Sequence, residues 1–181
     1  MCVGPDSIWT IARSAVEDPL ATGPDLGRSQ YYDPAAYVRD GVLVVAVPDN
    51  TRFWFPSGDR GGRPVLPLTL HGAVLVAKLV SENGAWRLMD GVLAGRTKQS
   101  DLLQSLRLVG VCEGHPAWLA ASMFVATNAD LLSTGAVARE IPCDALSLGF
   151  SVRAEEAEVG GLVDVPVLEP CVGPSPDGGS T

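Results

Sequence analysis

The sequence predicts a mainly β protein with helices, arranged as a small antiparallel β-barrel with peripheral helices. The chain of 181 residues contains 20 Gly and 14 Pro, which suits strands joined by turns better than a helical bundle. Residues 145–153 alternate strictly between apolar and polar side chains, which is typical of a half-buried strand. Strands separated by helical segments, without a regular βαβ alternation, favour an antiparallel barrel over a parallel sheet.

Apolar runs bounded by turn residues predict the strands of the first half of the chain. Gly72 interrupts one run directly after His71 and predicts a bulge or bend there. The pair Asn83-Gly84 predicts a tight hairpin. A short strand or helical turn is expected at residues 7–13, a loop at 14–33, and strands at 41–47, 52–55, 65–70, 73–80 and 86–93.

The hydrophobic period becomes helical after residue 100. Leu102, Leu103 and Leu106 share one helix face, and Ser100 can cap the start of that helix. Pro116 suits the first turn of a further helical or irregular stretch. The remaining predictions are a short helix at residues 129–135, a strand at 145–153, a solvated loop at 155–158 and a last strand at 163–168.

Length and charge restrict the classes of function. The length fits one domain, predicted at residues 1–173, with a disordered tail at residues 174–181. A net charge of −8 is repelled by phosphate backbones, so no nucleic-acid partner is expected. No apolar run reaches the roughly 20 residues that span a bilayer, and no secretory leader opens the chain. We therefore expect neither membrane insertion nor export.

Four cysteines are spread along the chain, and a reducing cytosol would keep them as free thiols. Cys112 and His115 have the C-x-x-H spacing of half a zinc site. Because no second close pair of ligands follows, the sequence predicts no metal. It also contains no phosphate-binding or dinucleotide-binding fingerprint, so no cofactor is expected.

Two segments stand out together, PVLPLTLHG at residues 64–72 and ALSLGFSV at residues 145–152. A strand that ends in histidine, a hairpin, a helical stretch and an L-S-x-G-F strand follow one another in this order. The arrangement resembles the prohead proteases of tailed bacteriophages, which are related to the herpesvirus assembly proteases. The resemblance extends over roughly residues 41–174, most of the chain. It implies the barrel fold and serine-protease chemistry.

The resemblance implies that His71 is the general base and Ser147 the nucleophile. A serine hydroxyl attacks well only when a base takes its proton, and histidine suits that task near neutral pH. Both side chains follow inward-pointing leucines, which predicts that they lie outward on neighbouring strands and within reach of each other. A third group must orient the imidazole. The candidates for it are Glu169, which matches the acidic closing segment of the family, and His115, Asp164 and Glu156.

The resemblance implies a serine endopeptidase of phage capsid maturation. Its expected substrate is the scaffold or the major capsid protein, and it is expected to cleave itself as well. The reaction would take place inside the immature capsid, in the cytoplasm of the host bacterium, and a homo-oligomer is compatible with this role. The alternative is a non-catalytic capsid-assembly or binding domain with the same barrel.

Overall fold

A computed structural model of the chain describes residues 8–18, 28–56, 64–135, 140–164 and 171. These residues form a mainly β fold, as the composition predicts, with two α-helices and one short 3₁₀ helix at Arg13–Ala15. None of these helices has the length and apolar character to cross a bilayer. The elements are β1 (Ile8–Ala12), β2 (Tyr37–Arg39), β3 (Val42–Ala46), β4 (Thr51–Pro56), β5 (Pro64–Glu82), β6 (Ala85–Lys98), α1 (Gln99–Leu108), α2 (Pro116–Thr127), β7 (Ala145–Glu155) and β8 (Glu158–Val163).

Six strands form one antiparallel sheet in the order β2-β3-β5-β6-β7, with β4 also paired to β5. In its first part, Tyr37 lies opposite Val44, and Val44 lies opposite Val76. β1 and β8 form a separate parallel pair. Among the described strands no pairing closes the sheet on itself, so the antiparallel sheet is confirmed and a barrel is not.

The hairpin between β5 and β6 turns at Asn83-Gly84, as predicted. Both residues have positive φ, 54° and 83°, which is the left-handed backbone that a two-residue type I′ turn requires. The preceding strand differs from the prediction, because residues 65–70 and 73–80 belong to one continuous strand, β5. Gly72, with φ of 54°, bends β5 without ending it.

The start of α2 agrees with its sequence, whereas the N-cap of α1 differs from the prediction. Pro116 occupies the first turn of α2, where a missing N–H costs nothing. Ser100, predicted to cap α1, lies inside that helix instead. The N-cap is Lys98, whose side chain makes no capping hydrogen bond. The strand β6 runs directly into α1, and the Gln99 N–H donates to the Asp144 carbonyl oxygen.

One predicted element in the second half is wrong, and a strand lies ahead of the predicted last strand. Residues 129–135 were expected to be helical, but Leu131 forms an antiparallel bridge with Ala145. A strand, β8, occupies residues 158–163, whereas the sequence predicted the last strand at 163–168. Residues 165–168 of that prediction lie outside the described residues. In both places the pairing partner is far away in sequence, so the local pattern did not show it.

The chain divides into two compact units, each built from three segments. The first comprises Met1–Thr51, Gly72–Gly95 and Leu148–Pro166, and its core includes Ala73, Ala77 and Leu93. The second comprises Arg52–His71, Arg96–Ser147 and Val167–Thr181. The apolar core of the second unit includes Leu68, Leu70, Val125, Ala145 and Leu146. The single domain at residues 1–173 stays a prediction, and residues 174–181 lie outside the described residues.

Candidate functional site

His71 is buried and hydrogen-bonded to a carboxylate. Its Nε2 lies 2.7 Å from Oδ2 of Asp101, which occupies the first turn of α1. The side chain of Asp101 remains a quarter exposed, whereas that of His71 is 3% exposed. A buried imidazole needs a hydrogen-bond partner, and a carboxylate can fix its tautomer and its orientation. The pair therefore has the geometry of a base and its orienting group.

The burial of His71 contradicts the outward orientation predicted from strand alternation. Leu68 and Leu70 point inward, as predicted, but so do His71 and Ala73. Leu70 and His71 are consecutive on β5 and both buried, so the face of the strand that is buried changes between them, directly before the positive φ of Gly72. Asp101 then supplies the polar partner that a buried histidine requires.

Ser147 is exposed on β7, as the alternation of that strand predicts. Its hydroxyl donates to Oδ2 of Asp130 at 2.5 Å, and its backbone N–H donates to Oδ1 of the same carboxylate at 2.8 Å. Asp130 follows α2 and was not a candidate in the sequence. One carboxylate thus holds both donors of the serine.

A second aspartate–serine pair mirrors the first. Asp144 accepts the backbone N–H of Ser133 at 2.6 Å and the Ser133 hydroxyl at 2.7 Å. The bridge between Leu131 and Ala145 lies between the two pairs. We call these two pairs and the bridge the double clamp. Its hydrogen bonds connect residues 130–133 to the start of β7, with one aspartate–serine pair on each side of the bridge.

The two motif residues do not lie on neighbouring strands. β6 separates β5, which carries His71, from β7, which carries Ser147. The prediction of adjacent strands is therefore wrong. The second unit instead contains two pairs, His71 with Asp101 and Ser147 with Asp130.

Three of the residues predicted to orient the imidazole lie in the described part of the chain, and each forms its hydrogen bonds with residues other than His71. His115 caps α2 by accepting the Ala117 N–H at its Nδ1, at 3.1 Å. Asp164 accepts a hydrogen bond from Arg13, and Glu156 accepts the Trp86 N–H. Glu169 lies outside the described residues. The carboxylate that contacts His71 is that of Asp101, whose one sequence signal is an acidic residue in the first turn of a helix.

Hydrogen bonding lowers the pKa of Asp130. The Ser147 hydroxyl is the main cause and its backbone N–H the second. Asp144 behaves in the same way, because the hydroxyl and the N–H of Ser133 lower its pKa. A carboxylate with a lowered pKa is a poor proton acceptor near neutral pH, so Asp130 is unsuited to act as the general base for Ser147.

We expect the double clamp to open in acid. A folded-state pKa below the unfolded value, about 3.9 for Asp, means that the contribution to stability is present above that value. It is lost as the pH falls through the folded-state pKa. NMR titration of the Ser133 and Ser147 amide protons should give midpoints below about 3.9. The Leu79 amide, which donates to the Gly41 carbonyl oxygen outside the double clamp, is the internal control.

In Asp130→Asn the chemical shift of the Ser147 amide proton should no longer change with pH in this range. That of the Ser133 amide proton should still change. Midpoints at or above the ordinary value of about 3.9 would contradict the clamp.

The cysteines depart from the expectation of free thiols. Cys112 and Cys171 form a disulfide, with their Cα atoms 5.9 Å apart, within the usual range. Cys143 is free and exposed. The fold brings Cys171 against the end of α1, where its Sγ also contacts the Arg107 carbonyl oxygen. With Cys112 oxidised, its thiolate is not available to the C-x-x-H spacing for zinc.

Compared with protein-family models, with curated proteins and with solved structures, the chain matches none.

Proposed function

We propose that the chain is a serine endopeptidase of capsid maturation, with His71 as base, Asp101 as its orienting group and Ser147 as nucleophile. The observation that carries the proposal is the buried His71 held by a carboxylate at 2.7 Å. The exposed position of Ser147, in the same compact unit as His71, supports it further. The resemblance of both strands to the prohead proteases supplies the reaction class.

In the proposed reaction His71 takes the proton of Ser147 Oγ while Oγ bonds to the carbonyl carbon of the scissile peptide. When Nε2–H donates to Asp101, the lone pair of the neutral ring is on Nδ1, the proposed proton acceptor. His71 then passes the proton to the leaving amine as the C–N bond breaks. Water hydrolyses the acyl-enzyme in the second half, and Asp101 stabilises the imidazolium in both halves.

In the proposed reaction the Ser147 hydroxyl must leave Asp130 and form a hydrogen bond to His71. Its hydroxyl is held by Asp130, which is a poor base because its pKa is lowered. Rotation about the Cα–Cβ bond of Ser147 releases the hydroxyl, while the backbone N–H keeps its bond to Oδ1. Asp130 is thus a resting partner, and such rearrangements between resting and reacting geometries are common.

The remaining parts of the proposal follow from the resemblance. The substrate is a segment of the scaffold or of the major capsid protein, together with the enzyme's own chain. Cleavage takes place inside the immature capsid in the host cytoplasm. Closure of the six-stranded sheet into a small barrel belongs to the same proposal.

A serine-directed fluorophosphonate probe tests the proposal with the full chain. We expect it to label the wild type at one site and to leave Ser147→Ala unlabelled. Ser133→Ala is the matched control, because Ser133 has the same two bonds to an aspartate, and it should label like the wild type. His71→Gln, which keeps a polar group beside Asp101, should slow labelling at least about 100-fold, whereas His115→Ala should not.

A non-catalytic capsid-assembly or binding domain is the second candidate. The mirrored arrangement of the double clamp favours it, because Ser133 shows that such a pair can simply fasten a loop to a strand. Equal labelling of the wild type and Ser147→Ala would support this candidate and exclude Ser147 as nucleophile.

A further inference from the structure

Helix α2 exposes an apolar face along its whole length. Its inward side is marked by Val125, which is buried, and by Trp118, whose ring packs under the Arg107 guanidinium at 5.1 Å. On the opposite side Leu119, Met123 and Phe124 are 68%, 57% and 61% exposed. Such exposure is typical of polar residues, so a row of large apolar side chains requires an explanation.

The exposed side chains form a continuous stripe. At 100° per residue, all of them except Ala117 fall on the half of the helix that faces away from Val125. All but one of them are apolar, and α2 has no charged residue in its 12 positions. We call this surface the α2 stripe, and its exposed members are Pro116, Ala117, Leu119, Ala120, Met123, Phe124, Ala126 and Thr127.

We propose that the α2 stripe is a homodimer interface, in which α2 of one copy packs against α2 of a second copy across a two-fold axis. Ala120 lies between Leu119 and the Met123–Phe124 pair, so a small residue alternates with large ones along the stripe. Rotated by a two-fold axis, the large side chains of one helix meet the small positions of the other. This is the self-complementarity that an isologous contact needs.

The area of the stripe fits a dimer. Its three large side chains expose roughly 400 Å² of apolar surface, which is at the level where a patch on a monomer is usually functional. Two copies, with the flanking alanines, Pro116 and Thr127, would bury on the order of 1,000 Å² in total. That is about the lower limit for a specific interface.

The charge distribution favours a second copy over a foreign partner. The chain carries a net charge of −8, so two copies repel each other over much of their surfaces. An uncharged stripe is a place where close approach adds no further repulsion. A foreign partner would typically be selected by charge complementarity, and α2 presents no charged residue for that purpose.

Sedimentation equilibrium of the full oxidised chain, over about 1–200 µM, tests the proposal over the affinity range expected for a small interface. We expect a monomer–dimer equilibrium for the wild type. Met123→Glu should weaken it by at least about 30-fold, the loss typical of an interface hot spot, because a charge would be buried. Met123→Leu should retain it.

The matched control is Val92→Glu, which places the same charge on β6 at a residue that is 49% exposed. This variant should dimerise like the wild type, and circular dichroism should show both glutamate variants to be folded. A monomer at every concentration would overturn the proposal. So would a dimer that survives Met123→Glu, or one that Val92→Glu weakens equally. None of these readouts depends on the proposed protease activity.

Discussion

Replacing Asp101 by asparagine is expected to slow the labelling of Ser147 by a fluorophosphonate about 10²–10⁴-fold. The carboxylate lies 2.7 Å from His71 Nε2, where in the proposed reaction its charge would stabilise the imidazolium that forms as the serine attacks. Asparagine has nearly the same shape and keeps an oxygen acceptor, but it lacks the charge. The measurement is the pseudo-first-order rate of labelling at pH 7.5, under conditions where the wild type reacts fully.

Glu113→Gln is the control for this variant. It removes an exposed carboxylate that pairs with Arg107, and it should leave the labelling rate unchanged. The melting temperature of Asp101→Asn should remain within a few degrees of the wild type, which separates a loss of chemistry from a loss of fold. A labelling rate equal to that of Glu113→Gln would remove the orienting role from Asp101, whatever the labelling of Ser147→Ala shows.

Replacing Leu70 by alanine is expected to lower the free energy of unfolding by about 2–5 kcal/mol. Leu70 is fully buried on β5, directly before His71, so the truncation leaves a cavity in the core of the second unit. Urea unfolding of the oxidised protein, followed by circular dichroism, measures the change. Equal slopes of the transitions in both proteins would show that the same surface is exposed on unfolding.

Val74→Ala is the matched control, four residues further along the same strand. Val74 is 38% exposed, so the same kind of truncation should cost about 0.5 kcal/mol or less. Equal losses from Leu70→Ala and Val74→Ala would contradict the burial of Leu70 in this core. A large loss from Leu70→Ala alone is the expected result.

Short-range patterns in the sequence determined several elements of the fold. Asn83-Gly84 specifies its hairpin, because two consecutive residues must adopt positive φ and these two do so readily. The alternation of residues 145–153 specifies the face of β7 on which Ser147 is exposed. Pro116 and the spacing of Leu102, Leu103 and Leu106 indicate the two helices. In each case the physical constraint acts within a few residues, so the sequence alone suffices.

The sequence did not predict the strand pairings between residues that are distant along the chain. The bridge between Leu131 and Ala145 replaced a predicted helix, and β8 is paired with β1 from the opposite end of the chain. Local propensity does not encode such partners, because their contribution comes from contacts made only in the folded state.

In the candidate site, too, the sequence indicated some residues and the tertiary structure determined their partners. The resemblance of two segments to the prohead proteases selected His71 and Ser147, but only the tertiary structure placed Asp101 beside the imidazole and Asp130 beside the serine. It also decided that His71 is buried, because burial depends on what packs against each face of β5 and not on the alternation alone. A hydrogen bond between residues 30 positions apart depends on how a strand and a helix pack, and no local pattern of side chains specifies that packing.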